Sequence, residues 1–168
     1  DFAFDRAFSP CVYEGIVKEL ISQFKYRGND YIGTSLSRLL IDFVEDYNLE
    51  LKLFDLIVPI PLHSKKLRER EFNQAQILSK CLAGKFGMEL STNNLIRVRD
   101  TSTQTDLADR ERWRNVAGSF TVRDGNYLKR KNILLIDDVL TTGATCSEAS
   151  RALKEAGAGV VFVLTLAN

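Results

Sequence analysis

Apolar positions repeat with helical spacing in the first part of the chain. Residues 13–28, YEGIVKELISQFKYRG, predict a helix that ends near Gly28. Its apolar face holds Val17, Leu20, Ile21 and Phe24. A second helix is predicted by a similar face, formed by Ile32, Leu36, Leu39, Leu40 and Phe43.

The pattern then changes to short apolar runs separated by further helical stripes. DLIVPIP (55–61), NILLID (132–137) and VVFVLTLA (160–167) are typical of strands buried on both faces. LIRVR and GSFTV predict two more strands. A helix is predicted in NQAQILSKCLAGKF (73–86). Another is predicted to begin near residue 145, where Thr145 and Glu148 fit a capping box, and to end at Gly157, which fits a C-cap. This alternation predicts an α/β fold with a mainly parallel sheet covered by helices.

Composition argues against a membrane-spanning, secreted or disulfide-stabilised protein. The 168 residues suit one domain, and 23 Lys plus Arg against 22 Asp plus Glu give no global reason to expect a nucleic-acid or membrane partner. Cys11, Cys81 and Cys146 lack the paired spacing of a zinc site or a disulfide framework, which favours a reducing, cytoplasmic location. No apolar run reaches the ~20 residues of a membrane span, and the acids of DFAFDRAF are unlike a signal peptide.

The segment ILLIDDVLTTGATCSEA carries the clearest chemistry. In a parallel sheet, ligands bind beyond the carboxyl ends of the strands, where Asp137 and Asp138 must lie. The following loop offers hydroxyls, approachable backbone and a helix N-terminus, which together suit a phosphate group. Its residues are Thr141, Thr142, Gly143, Ala144 and Thr145. Carboxylates accept bonds from sugar hydroxyls or bind Mg²⁺, so the segment predicts a phosphoribosyl ligand.

Three other interpretations fit this segment less well. LLIDD is similar to the Walker B strand of an NTPase, but the only Gly-Lys pair, Gly84-Lys85, precedes Phe86 and lies late in a helix. A dinucleotide-binding fingerprint is absent, since Gly157-Ala158-Gly159 follows a helix and precedes a strand. A simple helix cap needs one acceptor, not two acids and three threonines.

The same segment resembles the phosphoribosyl diphosphate (PRPP) motif of type I phosphoribosyltransferases. Beyond it, DLIVPIPLHSKKLREREFNQA, LIRVRDTSTQTDL, ERWRNVAGSF and FKYRG resemble the ComF family, its competence-protein and GntX-like branch, over almost the whole chain. The resemblance implies a type I phosphoribosyltransferase fold, with residues 1–52 as a helical cap or hood and 53–168 as the core of one integrated domain. It implies that Asp137 and Asp138 meet the ribose and that residues 141–145 hold the 5′-phosphate. Glu71 stands where the family usually has Gly, and the four-cysteine zinc ribbon common in the family has no counterpart here, so we expect no zinc.

A phosphoribosyltransferase must also bind pyrophosphate. Four cations in the basic loop predicted after the first core strand are the candidates for that role: Lys65, Lys66, Arg68 and Arg70. Each one taken alone is more typical of a solvated surface. The only histidine, His63, is expected not to be catalytic, because this chemistry needs charge neutralisation more than a base. The polar stretch with Thr101, Gln104 and Arg112 resembles the segment where type I enzymes have a flexible closing loop.

The sequence therefore predicts a phosphoribosyltransferase, a pentosyl-transferring glycosyltransferase. It would use PRPP with Mg²⁺, release pyrophosphate and act in DNA uptake or natural transformation, as ComF resemblance implies. Mg²⁺ would be bound through PRPP and not by a protein site of its own, with Asp137 and Asp138 as the candidate protein ligands. The alternative is a non-catalytic PRPP sensor, or a module that handles single-stranded DNA for the competence machinery. The acceptor and the oligomeric state stay open.

Overall fold

The computed structural model describes the backbone of residues 1–27, 30–101 and 109–168, and the side chains of residues 1–25, 31–101 and 111–168. Gln104 and Gly28 lie outside the described residues. The first half holds strand β1 (Arg6–Phe8), helices α1 (Gly15–Arg27) and α2 (Asp30–Asp46), a 3₁₀ turn (Leu51–Leu53), β2 (Leu56–Pro59), α3 (Ser64–Arg70) and α4 (Gln74–Phe86). The second half holds β3 (Leu95–Arg97), α5 (Asp109–Val116), β4 (Phe120–Val122), α6 (Gly125–Leu128), β5 (Ile133–Ile136), α7 (Ala144–Glu155) and β6 (Val161–Leu164).

A four-stranded parallel sheet in the order β1-β6-β5-β2 forms the centre of the molecule. Strands β3 and β4 form a separate antiparallel pair. The predicted α/β class and the parallel sheet are confirmed. The sheet also includes β1, which the sequence pattern did not predict, because three residues are too few to show a strand period. The predicted division at residue 52 stays a prediction.

Alternate residues of the central strands pack on opposite faces of the sheet. Ile57, Leu134 and Leu164 point to the layer of α1, α2 and α4. Leu56, Leu135 and Val163 point to the layer of α7 and the β3–β4 pair. All the residues of β2 and β5 are buried, which explains their continuous apolar runs. Among the described residues, no helix combines the length and apolar character needed to cross a membrane.

The pairing of β2 with β5 positions the candidate site. Pro59 lies opposite Ile136 at the carboxyl ends of the two parallel strands. The basic segment after β2 and the acids after β5 therefore leave the sheet side by side. Asn73 fixes the far end of the basic segment, since its side-chain amide donates to the Ile60 carbonyl at 3.0 Å.

Candidate functional site

The two acids are held at the end of β5 by backbone hydrogen bonds. The Asp137 N–H donates to the Leu164 carbonyl at 3.2 Å, and the Leu166 N–H donates to the Asp138 carbonyl at 3.0 Å. The Asp138 N–H also donates to Asp137 Oδ1 at 2.9 Å. Both carboxylates thus start from a rigid backbone at the carboxyl edge of the sheet, as predicted from the sequence.

The acids have different partners. Asp138 Oδ2 lies 3.0 Å from Lys25 Nζ, and the two side chains are only 13% and 23% exposed. Asp137 is approached by the Cys146 thiol, with 3.9 Å between Sγ and Oδ2. Burial and then the negative charge of Asp138 raise the pKa of Asp137 to about 7. Burial is the largest influence on Lys25 and opposes its charge, but the attraction and hydrogen bond of Asp138, together with the attraction of Asp137 and Tyr13, outweigh burial and raise the pKa of Lys25.

The predicted phosphate loop turns directly into α7. Gly143 is the N-cap of this helix in the left-handed conformation, with a φ of 74°. Thr141 and Thr142 precede the cap, while Ala144 and Thr145 form the first turn, and a small cavity lies among residues 139–146. The first turn of a helix presents unpaired N–H groups and the positive end of the dipole, so this arrangement suits a phosphate.

The predicted capping box is wrong. Thr145 lies inside α7, and the helix begins on Gly143 without a side-chain cap. Glu148 instead accepts the Gly118 N–H at 2.6 Å and pairs with Arg151. The predicted C-terminal signal has its expected geometry, because Gly157 follows the last residues of α7 with a φ of 97°.

The basic segment is a helix and not an open loop. Residues Ser64–Arg70 form α3, which the sequence pattern did not predict because only Leu67 among them is apolar. His63 caps this helix, with Nδ1 accepting the Lys65 N–H at 3.4 Å, which gives the histidine a structural task. Lys65 is exposed and lies 3.6 Å from Asp100. Arg68 is exposed as well.

Lys66 and Arg70 are the inward members of the basic set. Lys66 Nζ donates to the Thr101 carbonyl at 3.0 Å, and Arg70 donates to Gln74 Oε1 at 3.4 Å. Burial lowers the pKa of Lys66, and repulsion from Arg97 and Arg70 lowers it further. The repulsion indicates that cations from two elements crowd around one place, where an anionic ligand would relieve it.

Arg97 is a candidate site residue that the sequence reasoning missed. It ends β3, donates to the Thr101 hydroxyl and lies with its guanidinium 5.3 Å from the centre of the Phe120 ring. Its Nε is buried and has no hydrogen-bond partner among the described residues. Burial lowers its pKa, and attraction to Asp137 and Asp100 opposes that change. The signal in the sequence was its place inside LIRVRDT, where a charged residue ends an apolar strand.

Of the residues predicted for the closing loop, the structure describes Thr101 and Arg112 but not Gln104. Thr101 is buried and is contacted by both Lys66 and Arg97. Arg112 lies on α5, which packs against α7. Gln104 lies outside the described residues, so its predicted role stays a prediction.

A magnesium-bound substrate fits the chemistry of these donors. Mg²⁺ in nucleotide-type sites is usually held by one or two carboxylates together with substrate phosphates. Asp137 and Asp138 supply two adjacent carboxyls at the sheet edge. Among the described residues, no group of three or more His, Cys, Asp and Glu side chains is arranged to hold a metal by itself.

Proteins of known sequence are similar to this chain over most of its length. No protein-family model matches the chain. Competence protein F of Haemophilus influenzae is 34% identical over 152 residues, which are 89% of this chain and 66% of that protein. DNA utilization protein YhgH of Salmonella typhimurium is 33% identical over 163 residues, which are 96% of this chain and 71% of that protein. The chain belongs to the ComF family. It spans about two thirds of the length of these two relatives.

Solved structures confirm the predicted fold. A Bacillus subtilis glutamine PRPP amidotransferase matches with a TM-score of 0.56 at 16% identity, over 86% of this chain and 30% of that enzyme. An allosteric regulatory enzyme of purine biosynthesis matches with a TM-score of 0.51 at 17% identity, over 79% of this chain and 26% of that enzyme. At these identities the likeness concerns the fold alone. This ComF protein has the type I phosphoribosyltransferase fold.

Proposed function

We propose that this ComF protein binds PRPP together with Mg²⁺ and transfers its phosphoribosyl group with release of pyrophosphate. The observation that carries the proposal is the meeting of three different binding chemistries at one sheet edge. Asp137 and Asp138 offer acceptors for ribose hydroxyls, and the turn into α7 offers donors for the 5′-phosphate. Lys66 and Arg97 offer positive charge for pyrophosphate.

The protein's part in such a reaction is electrostatic and positional. Asp137 and Asp138 would fix the ribose through its hydroxyls, and residues 141–145 would hold its phosphate end, so that the anomeric carbon has one orientation. Mg²⁺, when bound with PRPP, would neutralise charge on the pyrophosphate. Lys66 and Arg97 would stabilise the charge that grows on pyrophosphate as its bond to the sugar breaks. No side chain needs to act as a nucleophile.

Pyrophosphate release tests transfer directly. The protein is incubated with PRPP, Mg²⁺ and separate pools of purine bases, pyrimidine bases and amines, and phosphorus NMR follows the diphosphate signals. We expect one pool to accelerate the appearance of pyrophosphate beyond the spontaneous hydrolysis of PRPP. The Asp137→Asn/Asp138→Asn variant is the control for a contaminating enzyme. If PRPP binds and no pool accelerates release, the protein is a PRPP sensor and the transfer step is wrong.

Binding of single-stranded DNA is a second candidate function, and one observation favours it. Aromatic side chains from the start of the chain and from α5 come together beside the phosphate loop: Phe2 stacks on Phe4 with 4.6 Å between ring centres and lies 5.8 Å from Trp113. A cavity of about 300 Å³ opens between Phe2, Trp113 and Arg151. Aromatic faces beside a phosphate site are what unpaired bases need. The relatives' names, Competence protein F and DNA utilization protein, support the same candidate.

The single tryptophan of the chain reports on this candidate. We expect an oligothymidylate to quench the fluorescence of Trp113, while an abasic strand of equal length does not. The Phe2→Ala variant should bind the base-bearing strand roughly tenfold more weakly, because base stacking is worth about 1–3 kcal/mol. Equal responses to the two strands would mean that only backbone charge is recognised and that the cavity takes no base.

A further inference from the structure

The FKYRG motif places a buried ammonium group against the candidate site. Lys25 lies near the end of α1, and its Nζ reaches Asp138 Oδ2 at 3.0 Å. The lysine side chain is 23% exposed and the aspartate side chain 13%. A pair so enclosed is not the usual surface salt bridge, which is exposed and contributes little.

Lys25 faces both acids of the site. It attracts Asp137 as well as Asp138, and Asp137 in turn is held close by the Asp138 N–H. Two adjacent buried carboxyls repel each other when both are ionised, so a fixed cation next to them lowers the cost of that state. The ammonium lies 3.0 Å from Asp138 Oδ2, so any ribose hydroxyl or divalent cation that approached this oxygen would have to compete with it.

We propose that Lys25 is the built-in counter-ion of the acid pair, which holds Asp138 in position in the ligand-free protein and competes with a divalent cation for its carboxylate. This inference rests on the proposed function, because it assigns a positioning role within the same site. It gives the FKYRG motif a chemical task and couples helix α1 to ligand binding. The protein should accordingly bind a bare divalent cation weakly, and PRPP must bring its own metal.

Manganese binding to the ligand-free protein tests the competition, since Mn²⁺ replaces Mg²⁺ and its free concentration is measured by electron paramagnetic resonance. At about pH 8, which lies above the raised pKa of Asp137 in the wild type, Lys25→Met should bind Mn²⁺ at least tenfold more tightly than the wild type. Lys25→Arg keeps the charge and should resemble the wild type. Lys85→Met is the matched control, because Lys85 also pairs with an acid, Glu45, at 2.8 Å but far from the site.

A purely structural role for Lys25 would lower stability without any gain in Mn²⁺ affinity, and that result would overturn the proposal. Lys25→Gln covers the case in which the methionine variant does not fold, because its amide still donates a hydrogen bond to Asp138 without a charge; it too should gain Mn²⁺ affinity. The measurement contains no PRPP, so a failure of PRPP to bind leaves it unaffected. The role of Lys25 and the proposed PRPP chemistry can therefore be contradicted independently. Unchanged or weaker Mn²⁺ binding by the folded Lys25→Met and Lys25→Gln variants contradicts the counter-ion role alone.

Discussion

Lys66 Nζ donates to the main-chain carbonyl of Thr101 at 3.0 Å, which joins helix α3 to the residue just beyond β3. The same threonine accepts a hydrogen bond from Arg97 through its hydroxyl. Two cations from different parts of the chain are thereby held on one buried residue. Their mutual repulsion is a cost of the ligand-free state, and a bound anion would relieve it.

Replacement of Lys66 by Ala should weaken PRPP binding far more than ribose 5-phosphate binding, because only PRPP carries the pyrophosphate that this lysine would contact. A charge-assisted contact is worth about 1.5–3 kcal/mol, which corresponds to roughly 10- to 100-fold in affinity. Lys65→Ala is the matched control, since Lys65 is exposed and faces Asp100. Calorimetry with both ligands decides. Equal losses for the two ligands would mean that α3 acts only as a general positive surface.

Glu71 caps α3 in the left-handed conformation with a φ of 66°. A side chain there costs on the order of 1 kcal/mol, so Glu71→Gly should raise the free energy of unfolding by about 0.5–1 kcal/mol. Glu71→Ala separates backbone strain from charge, because it removes the carboxylate and keeps the strain. Chemical denaturation should show the gain for glycine alone. A similar gain for alanine would assign the effect to charge repulsion.

Gly143→Ala should damage both stability and phosphate binding. A Cβ at this position would lie 2.5 Å from the Phe2 ring, and the φ of 74° disfavours any side chain. We expect a loss of at least about 1–2 kcal/mol in the free energy of unfolding. Gly84→Ala is the opposite control: Gly84 lies inside α4 with open space around its Cβ position, so alanine should stabilise by roughly 0.5–1 kcal/mol. Unchanged stability in Gly143→Ala would contradict the described loop geometry.

Asp137 should make stability depend on pH in an unusual direction. Its pKa is raised to about 7, so the folded state holds this proton more tightly than the unfolded chain, where the pKa is about 3.9. The stabilisation is complete below about pH 4 and is lost as the pH rises through 7. Thermal unfolding between about pH 5 and 8 should therefore show a loss, relative to Asp137→Asn, on the order of a few kcal/mol. Parallel curves for the two proteins would contradict the raised pKa.

The sequence predicted the elements whose residue pattern follows directly from burial or from their place in a parallel sheet. Strands β2 and β5 are buried on both faces, so apolar runs revealed them, and the acids after β5 follow from the rule for parallel sheets. Helix α3 was missed because its charges show no apolar stripe. The capping box was wrong because Gly143 can begin a helix by its backbone conformation alone, which left Glu148 for Gly118.

Lys25 and Arg97 show why part of the site was not predictable. Each is a charged residue at the end of a helix or strand, and in a sequence such residues are more typical of solvated positions. Their importance arises from residues far away in the chain: Lys25 pairs with Asp138, and Arg97 is attracted electrostatically to Asp137. Only the packing of α1 and β3 against the sheet edge brings these charges together.

Calorimetric titration with PRPP, with and without Mg²⁺, tests the central claim most directly, because the roles proposed for the acids, the phosphate loop and the basic residues all concern this ligand. We expect one PRPP per chain, tighter binding when Mg²⁺ is present, and binding to ribose 5-phosphate that is weaker and less dependent on Mg²⁺. The Asp137→Asn/Asp138→Asn variant, checked for folding by circular dichroism, should lose most of the affinity for PRPP. A folded wild-type protein that takes up no PRPP with Mg²⁺, or a folded double variant that binds it equally well, would contradict the account.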